Sequence, residues 1–201
     1  MTMDDARVGA RRPGGRAARV RTDVLGATAE LLAERGYDGT SIEDVAARAG
    51  VHKTTVYRRW PTKPELVFDA ARQHSAEAVP VPDTGTLLDD LRALARSVVA
   101  NIGPDGGARR SRSLVAAAAS SDDVGVAMQA FWADRLAASR PIIERAIERG
   151  ELPTDADPNL IIEALIGPLW VRLLLTGEPI TDDLADRVAD LVVHGAARRP
   201  S

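Results

Sequence analysis

Apolar positions recur along this chain at intervals of three and four, in separate runs punctuated by glycine and proline. One short run organises the rest. Ile42, Val45, Ala46 and Ala49 fall at i, i+3, i+4 and i+7, a single stripe on a helix of about two turns. The preceding Thr40-Ser41-Ile42-Glu43 has the form of a capping box with Thr40 as N-cap. Gly50 then stops the helix, because glycine takes the left-handed conformation of a C-cap without a Cβ clash. A second short helix is predicted from about His52 to Arg59, with Val51 and Val56 turned inward. Two short amphipathic helices about a glycine-centred turn make a helix-turn-helix.

The same periodicity predicts helices on both sides. Val24, Thr28, Leu31 and Leu32 share a face of a helix from about Arg19 to Arg35, ended by Gly36. Thr62-Lys63-Pro64-Glu65 is a second capping box, opening a helix from Lys63 to about Ala78 that buries Leu66, Val67, Ala70 and Ala71. Pro80-Val81-Pro82-Asp83 breaks the pattern and marks a domain boundary. Beyond it come a helix from about Thr84 to Asn101, a loop over 103–107 and an alanine-rich helix near Ala108 to Ala119. A long helix follows, capped by Ser121, kinked by Pro141 and stopped by Gly150. The class is all-α, with about nine helices. Its parts are a basic, disordered arm (1–18), the helix-turn-helix domain (19–80) and a second helical domain (81–201).

The last two helices differ from the others. Asp157-Pro158 supplies an N-cap and a proline in the first turn. From Leu160 to Leu175 the row LIIEALIGPLWVRLLL is apolar nearly all round, and such a helix must be covered on every side. It is too short for a membrane span and carries Glu163 and Arg172, so no membrane is expected. One chain covers one side; a second copy would cover the rest. Leu165, Leu169 and Leu173 are the expected dimer contacts here. Leu184, Val188 and Leu191 are their counterparts on the final helix, which Thr181 caps.

Composition removes most other chemistries. There are no cysteines, so disulfides, thiolate metal sites and cysteine nucleophiles are excluded. His52, His74 and His194 are far apart in sequence and in no metal-ligand spacing. No glycine-rich phosphate loop is present, so no cofactor and no enzymatic activity are expected. The acidic pairs Asp122-Asp123 and Asp182-Asp183 sit in first helical turns, where they complement the helix dipole. With no signal-peptide pattern, the expected location is the cytoplasm. The net charge of −3 hides an asymmetry. Residues 1–80 hold thirteen Lys/Arg and eleven Asp/Glu, and residues 81–201 thirteen and eighteen. The first half is the electropositive one.

Within that half, the second short helix carries donors and no acid: His52, Lys53, Thr54, Thr55, Tyr57, Arg58 and Arg59. A surface for phosphates and base edges should lack carboxylates in this way. Lys63, beside the free N–H groups of the next helix, suits a phosphate. Lys53, Thr54 and Tyr57 are the first candidates for base readout, with His52 and Arg58 next.

Gly36-Tyr37, Thr40-Ser41-Ile42, Val45-Ala46, Ala49-Gly50-Val51, Thr55-Val56-Tyr57, Trp60-Pro61, Lys63 and Leu66 resemble the DNA-binding domain of TetR-family transcriptional regulators, without a gap over roughly residues 19–66. Trp60 stands where many members have phenylalanine. The resemblance implies a homodimer on a palindromic DNA operator, with the last two helices of each chain forming a four-helix bundle. It also implies backbone contacts from Thr40, Tyr57 and Lys63. Repression is the family's usual mode, although activation would use the same residues.

The family also leads one to expect a small-molecule effector in the second domain. Met128, Phe131, Trp132 and Trp170 are the candidate walls, since ligand pockets are mostly apolar with a few placed polar groups. Val98, Ile102 and Leu114 would complete them, and His74 or Asn101 would supply a hydrogen bond. Few carboxylates lie on these inner faces, so a neutral or anionic apolar molecule is expected. The same residues also suit an ordinary core.

Overall fold

The computed structural model describes residues 15–103 and 107–197. Among them are nine α-helices and no strands: α1 (Gly15–Arg35), α2 (Ile42–Arg48), α3 (Lys53–Arg59), α4 (Lys63–Ala78), α5 (Leu87–Asn101), α6 (Gly107–Ser120), α7 (Asp122–Glu148), α8 (Pro158–Val171) and α9 (Asp182–Ala197). A π turn, Arg172–Thr176, extends α8. The first helix begins four residues before the expected boundary, so Gly15 to Ala18 are helical rather than part of an irregular arm. The remainder of that arm, residues 1–14, lies outside the described residues, as does 104–106 of the predicted loop.

Helices α1 to α4 enclose a small core of Val24, Leu31, Val45, Val56, Trp60 and Leu66. The cap of α2 differs from expectation. Ser41, not Thr40, is the N-cap: its Oγ accepts from the Asp44 N–H at 3.0 Å. Thr40 is 3% exposed, and its hydroxyl donates to the Gly36 carbonyl at 2.8 Å. The register of Thr-Ser-Ile-Glu admits either hydroxyl, and the buried corner after α1 takes the threonine. The cap of α4 is as predicted, with Thr62 Oγ1 accepting from Glu65 N–H.

The larger core lies among α5, α7, α8 and α9, around Leu91, Leu94, Ile142, Ile143, Leu165 and Leu169. Arg92–Asp190 and Arg96–Asp186 bridge α5 to α9 along its rim. At the boundary, fully buried Asp90 accepts from Thr84 N–H and Oγ1, while Glu151 accepts from Leu87 N–H. The proline-broken linker is thus held in place. Ser121 occupies the N-cap position of α7 without a side-chain hydrogen bond, and Pro141 lies inside one uninterrupted helix.

The expected dimer face requires correction. Leu165, Leu169, Leu173, Leu184 and Val188 all belong to the chain's own core. The apolar positions left outside are Leu160 (61% exposed), Val171, Leu174 and Leu175 (79%), with Leu191 (70%) on α9. A helix apolar all round gives no sequence signal for which side its own chain covers. Of the six expected residues, Leu191 alone is on the outer face.

Candidate nucleic-acid interface and internal cavity

The placement of α3 begins with α2. Arg48, at the end of α2, donates to both carboxylate oxygens of Glu34 at 2.8 and 2.9 Å, and to Glu30 at 3.2 Å. These bonds hold the Glu34 carboxyl below its usual pKa and fix α2 against α1. Gly50, at φ +65°, turns the chain, and Val51 N–H closes the turn on the Ala46 carbonyl at 3.0 Å. Positive φ is the conformation for which glycine is favoured.

His52 then caps α3, a role the sequence did not suggest. Its Nδ1 accepts from Thr54 N–H at 3.4 Å and lies 2.9 Å from Thr54 Oγ1. Accepting at Nδ1 assigns the remaining proton of a neutral ring to Nε2. Val56 is fully buried and Trp60 nearly so. Trp60 Nε1 donates to Asp69 Oδ2 at 2.9 Å, and Asp69 Oδ1 accepts from Arg21 at 2.7 Å. One carboxylate on α4 thereby joins α1 to the end of α3. This is what tryptophan adds over phenylalanine at position 60.

On the outward side, His52, Lys53, Thr54, Tyr57, Arg58 and Arg59 are exposed and Thr55 is half-buried. Tyr57 Oη donates to Glu43 at 3.0 Å, which pushes the phenol pKa up. Lys63 Nζ lies 4.0 Å from the centre of the Tyr37 ring, a cation–π contact. Partial burial lowers the Lys63 pKa, with Asp38 opposing. Arg16, Ala17 and Val20 of α1 face Thr55, Arg58 and Arg59 across a groove. Arg16, expected in the irregular arm, is instead a helical cation at this surface.

A cavity of about 90 Å³ lies among α4 to α8. Its walls include every residue expected of a pocket: His74, Val98, Asn101 and Ile102, then Leu114 and Met128, then Phe131, Trp132 and Trp170. The aromatic rings form a continuous row. Phe68 and Phe131 are 6.1 Å apart, Phe131 and Trp132 5.6 Å, and Trp132 and Trp170 5.3 Å, the last two pairs edge to face. His74 Nε2 is 2.9 Å from Asn101 Oδ1, and burial, with Arg110 nearby, lowers the His74 pKa.

Among the cavity residues that were not anticipated are two arginines, Arg110 and Arg135. Arg110 Nη2 donates to the Asn101 carbonyl at 2.9 Å and to its Oδ1 at 2.8 Å. Arg135 Nη2 donates to the Val79 carbonyl at 3.1 Å. Gly107 makes the tight entry to α6 possible, since a Cβ there would sit 2.2 Å from the Asn101 carbonyl oxygen.

Comparison with known families agrees with this geometry. Residues 24–70 match the bacterial regulatory proteins of the tetR family, and residues 81–192 match the tetracyclin repressor-like C-terminal domain. The chain belongs to the TetR family. Its TetR-family relatives include the HTH-type transcriptional regulator AqdR of Rhodococcus erythropolis, 34% identical over 96% of this chain and 93% of that protein. Another is the DNA-binding transcriptional repressor TetR of Mycobacteroides abscessus, 33% identical over 85% and 90% of the two chains. Among solved structures, the TetR family transcription regulator SCO0332 has a TM-score of 0.78 and 31% identity, over 88% of this chain and 98% of that one. FadR of Bacillus subtilis, solved with stearoyl-CoA, shares the fold at 17% identity and a TM-score of 0.67, over 87% and 98%.

The TetR family consists of helix-turn-helix transcriptional regulators, generally repressors, and not of enzymes. In this TetR-family chain α4 touches both the core behind α3 and the cavity. Leu66 packs in the core behind α3, whereas His74 and Ser75 line the cavity.

Proposed function

We propose that the protein is a ligand-responsive transcriptional repressor in the cytoplasm that binds a palindromic operator as a homodimer and is released by an effector in the cavity. The observation that carries this reading is the exposed, acid-free face of α3. His52, Lys53, Thr54, Tyr57 and Arg58 are presented there by a helix whose other side is locked by Val56 and Trp60. Two such helices related by a two-fold axis would meet half-sites about 34 Å apart, or a multiple of that. In this reading Tyr57 and Lys63 meet phosphates, while Lys53, Thr54 and Arg58 read base edges. Thr40 acts indirectly, by fixing the corner before α2.

The division of labour proposed is DNA reading by residues up to about 80 and sensing and pairing by 81–201. Leu160, Val171, Leu174, Leu175 and Leu191 offer the surface that a second copy would cover. Counter to the expectation drawn from Leu160–Leu175 alone, the continuous helical span Pro158–Thr176 is long and apolar enough to cross a membrane. Its Ile161, Leu165 and Leu169 are part of the helical core, however, and α9, which packs against it, also exposes an apolar residue, Leu191, which suits a bundle partner. No membrane is included in this reading.

The test is a mobility-shift titration of intergenic DNA next to the protein's own gene. Specific binding that weakens steeply with salt is the expected result. Binding that ignores salt, or no preference over unrelated DNA, would count against it.

A further inference from the structure

We infer that the cavity takes a small apolar molecule bearing a carboxylate, and that Arg110 of α6 and Arg135 of α7 hold that group. The inference rests on reading the cavity as the effector site, and it names the chemistry that fits.

The first argument is charge. Arg110 and Arg135 both line the cavity, and no Asp or Glu does. Among the described residues, neither has a carboxylate within ion-pair distance. Several other arginines of this domain are matched, Arg92 by Asp190, Arg96 by Asp186, Arg145 by Asp83 and Arg149 by Glu151; Arg112 and Arg172 instead donate to backbone carbonyls, and neither lines the cavity. Both guanidiniums are partly buried, which lowers their pKa, and even partial burial of a cation with no carboxylate beside it is unfavourable. A bound carboxylate would remove that penalty.

The second argument is the balance of donors and acceptors. Arg110 and Arg135 each use one nitrogen on acceptors of the protein, out of five N–H donors per guanidinium. Trp170 Nε1 is buried and has no acceptor. Such a group is the exception in a folded protein and calls for an explanation. The one amide acceptor here, Asn101 Oδ1, is already shared by Arg110 and His74. The remaining acceptors of the lining are neutral, the hydroxyls of Ser75, Ser111 and Ser139 and the second ring nitrogen of His74, so the cavity offers two cationic donors and no anionic acceptor. A carboxylate supplies acceptors only, and its geometry matches the planar guanidinium fork. The Phe131–Trp132–Trp170 row takes an apolar body.

The experiment is calorimetric titration of the full chain, without DNA, using 1-naphthoate and octanoate beside their uncharged amides, 1-naphthamide and octanamide. Each acid is expected to bind about tenfold or more tighter than its amide. R110Q and R135Q should each reduce that preference, and R110K should keep part of it. Circular dichroism and DNA binding of each variant report whether it folds, and R135Q provides the decision if R110Q does not. Equal affinities for acid and amide, no binding of either acid at millimolar concentration, or a preference that survives both substitutions would overturn the inference. If the acids bind as expected but leave operator DNA bound, the effector reading fails while the carboxylate site stands.

Discussion

The backbone N–H of Tyr37 donates to Ser113 Oγ at 3.0 Å, joining the corner after α1 to the middle of α6. Ser113 Oγ in turn donates to the carbonyl of Arg110, a cavity residue, at 2.9 Å. The Tyr37 ring carries Lys63 on its face. Gly36, at φ +74°, permits this approach, since a Cβ there would lie 3.0 Å from Ser113 Cβ. Contacts thus run from the cavity to a proposed phosphate ligand. Ser113→Ala should cost about 1 kcal/mol of stability. It should also weaken the coupling between effector and operator, which in allosteric proteins is about 1–3 kcal/mol. Operator affinity with and without ligand, measured on both proteins, checks it. Undiminished coupling in the variant would assign the signal to α4 alone.

On the reading surface, substitutions should divide into two kinds. Lys63→Ala and Tyr57→Ala should weaken all DNA sequences about equally, because phosphate contacts carry no base information. Lys53→Ala and Arg58→Ala should relax preference at one base position, by about 1–3 kcal/mol for a bidentate contact. Tyr57 must also give up its bond to Glu43 to reach a phosphate. Glu43→Gln should therefore tighten binding, by exchanging a charged competing acceptor for a weaker neutral one and removing a negative charge. Binding-site selection on randomised operators separates the two kinds.

His74 gives the protein a pH dependence whose sign follows from its surroundings. Burial, then the Arg110 charge, lower its pKa below the ordinary 6.5, while Asn101 and Glu77 oppose. The unfolded chain therefore binds the proton more readily than the folded one. Stability should be full above the unfolded value and fall as pH drops through it, levelling off below the folded pKa. Comparing wild type with His74→Gln in urea melts at several pH values isolates this contribution. A slope unchanged in the variant would remove His74 as its source.

How much of this was written in the sequence depends on what each feature requires. The helices were legible because periodicity, caps and glycine stops agree locally: Thr62 and Lys63–Ala78 are where the pattern puts them. The cavity walls were legible because aromatics are scarce, and three of the seven fall beyond the linker. What failed needed information from elsewhere in the fold. Thr40 and Ser41 are equivalent by spacing, and the Gly36 carbonyl decides between them. Arg110 and Arg135 look like ordinary surface cations until α6 and α7 pack against α4 and α5. His52 gave no cap signal, since capping by an imidazole depends on its tautomer.

The division of the α8 face makes a last prediction that separates folding from pairing. Leu169 is fully buried in the chain's own core, so Leu169→Glu places a charge among apolar side chains with no partner and should unfold the protein. Leu175 and Leu191 are 79% and 70% exposed, so glutamate at either costs the single chain little. If a second copy covers them, each change buries like charges near the two-fold axis, where every residue of the patch recurs. Leu175→Glu and Leu191→Glu should then give folded monomers with normal helical content and greatly weakened operator binding. The weakening arises because one reading helix makes only half the contacts. Sedimentation and circular dichroism, read together, distinguish the outcomes. Leu175→Glu and Leu191→Glu proteins that remain dimers would place the interface elsewhere on the surface. A soluble wild-type monomer at micromolar concentration would remove the dimer from the proposed function.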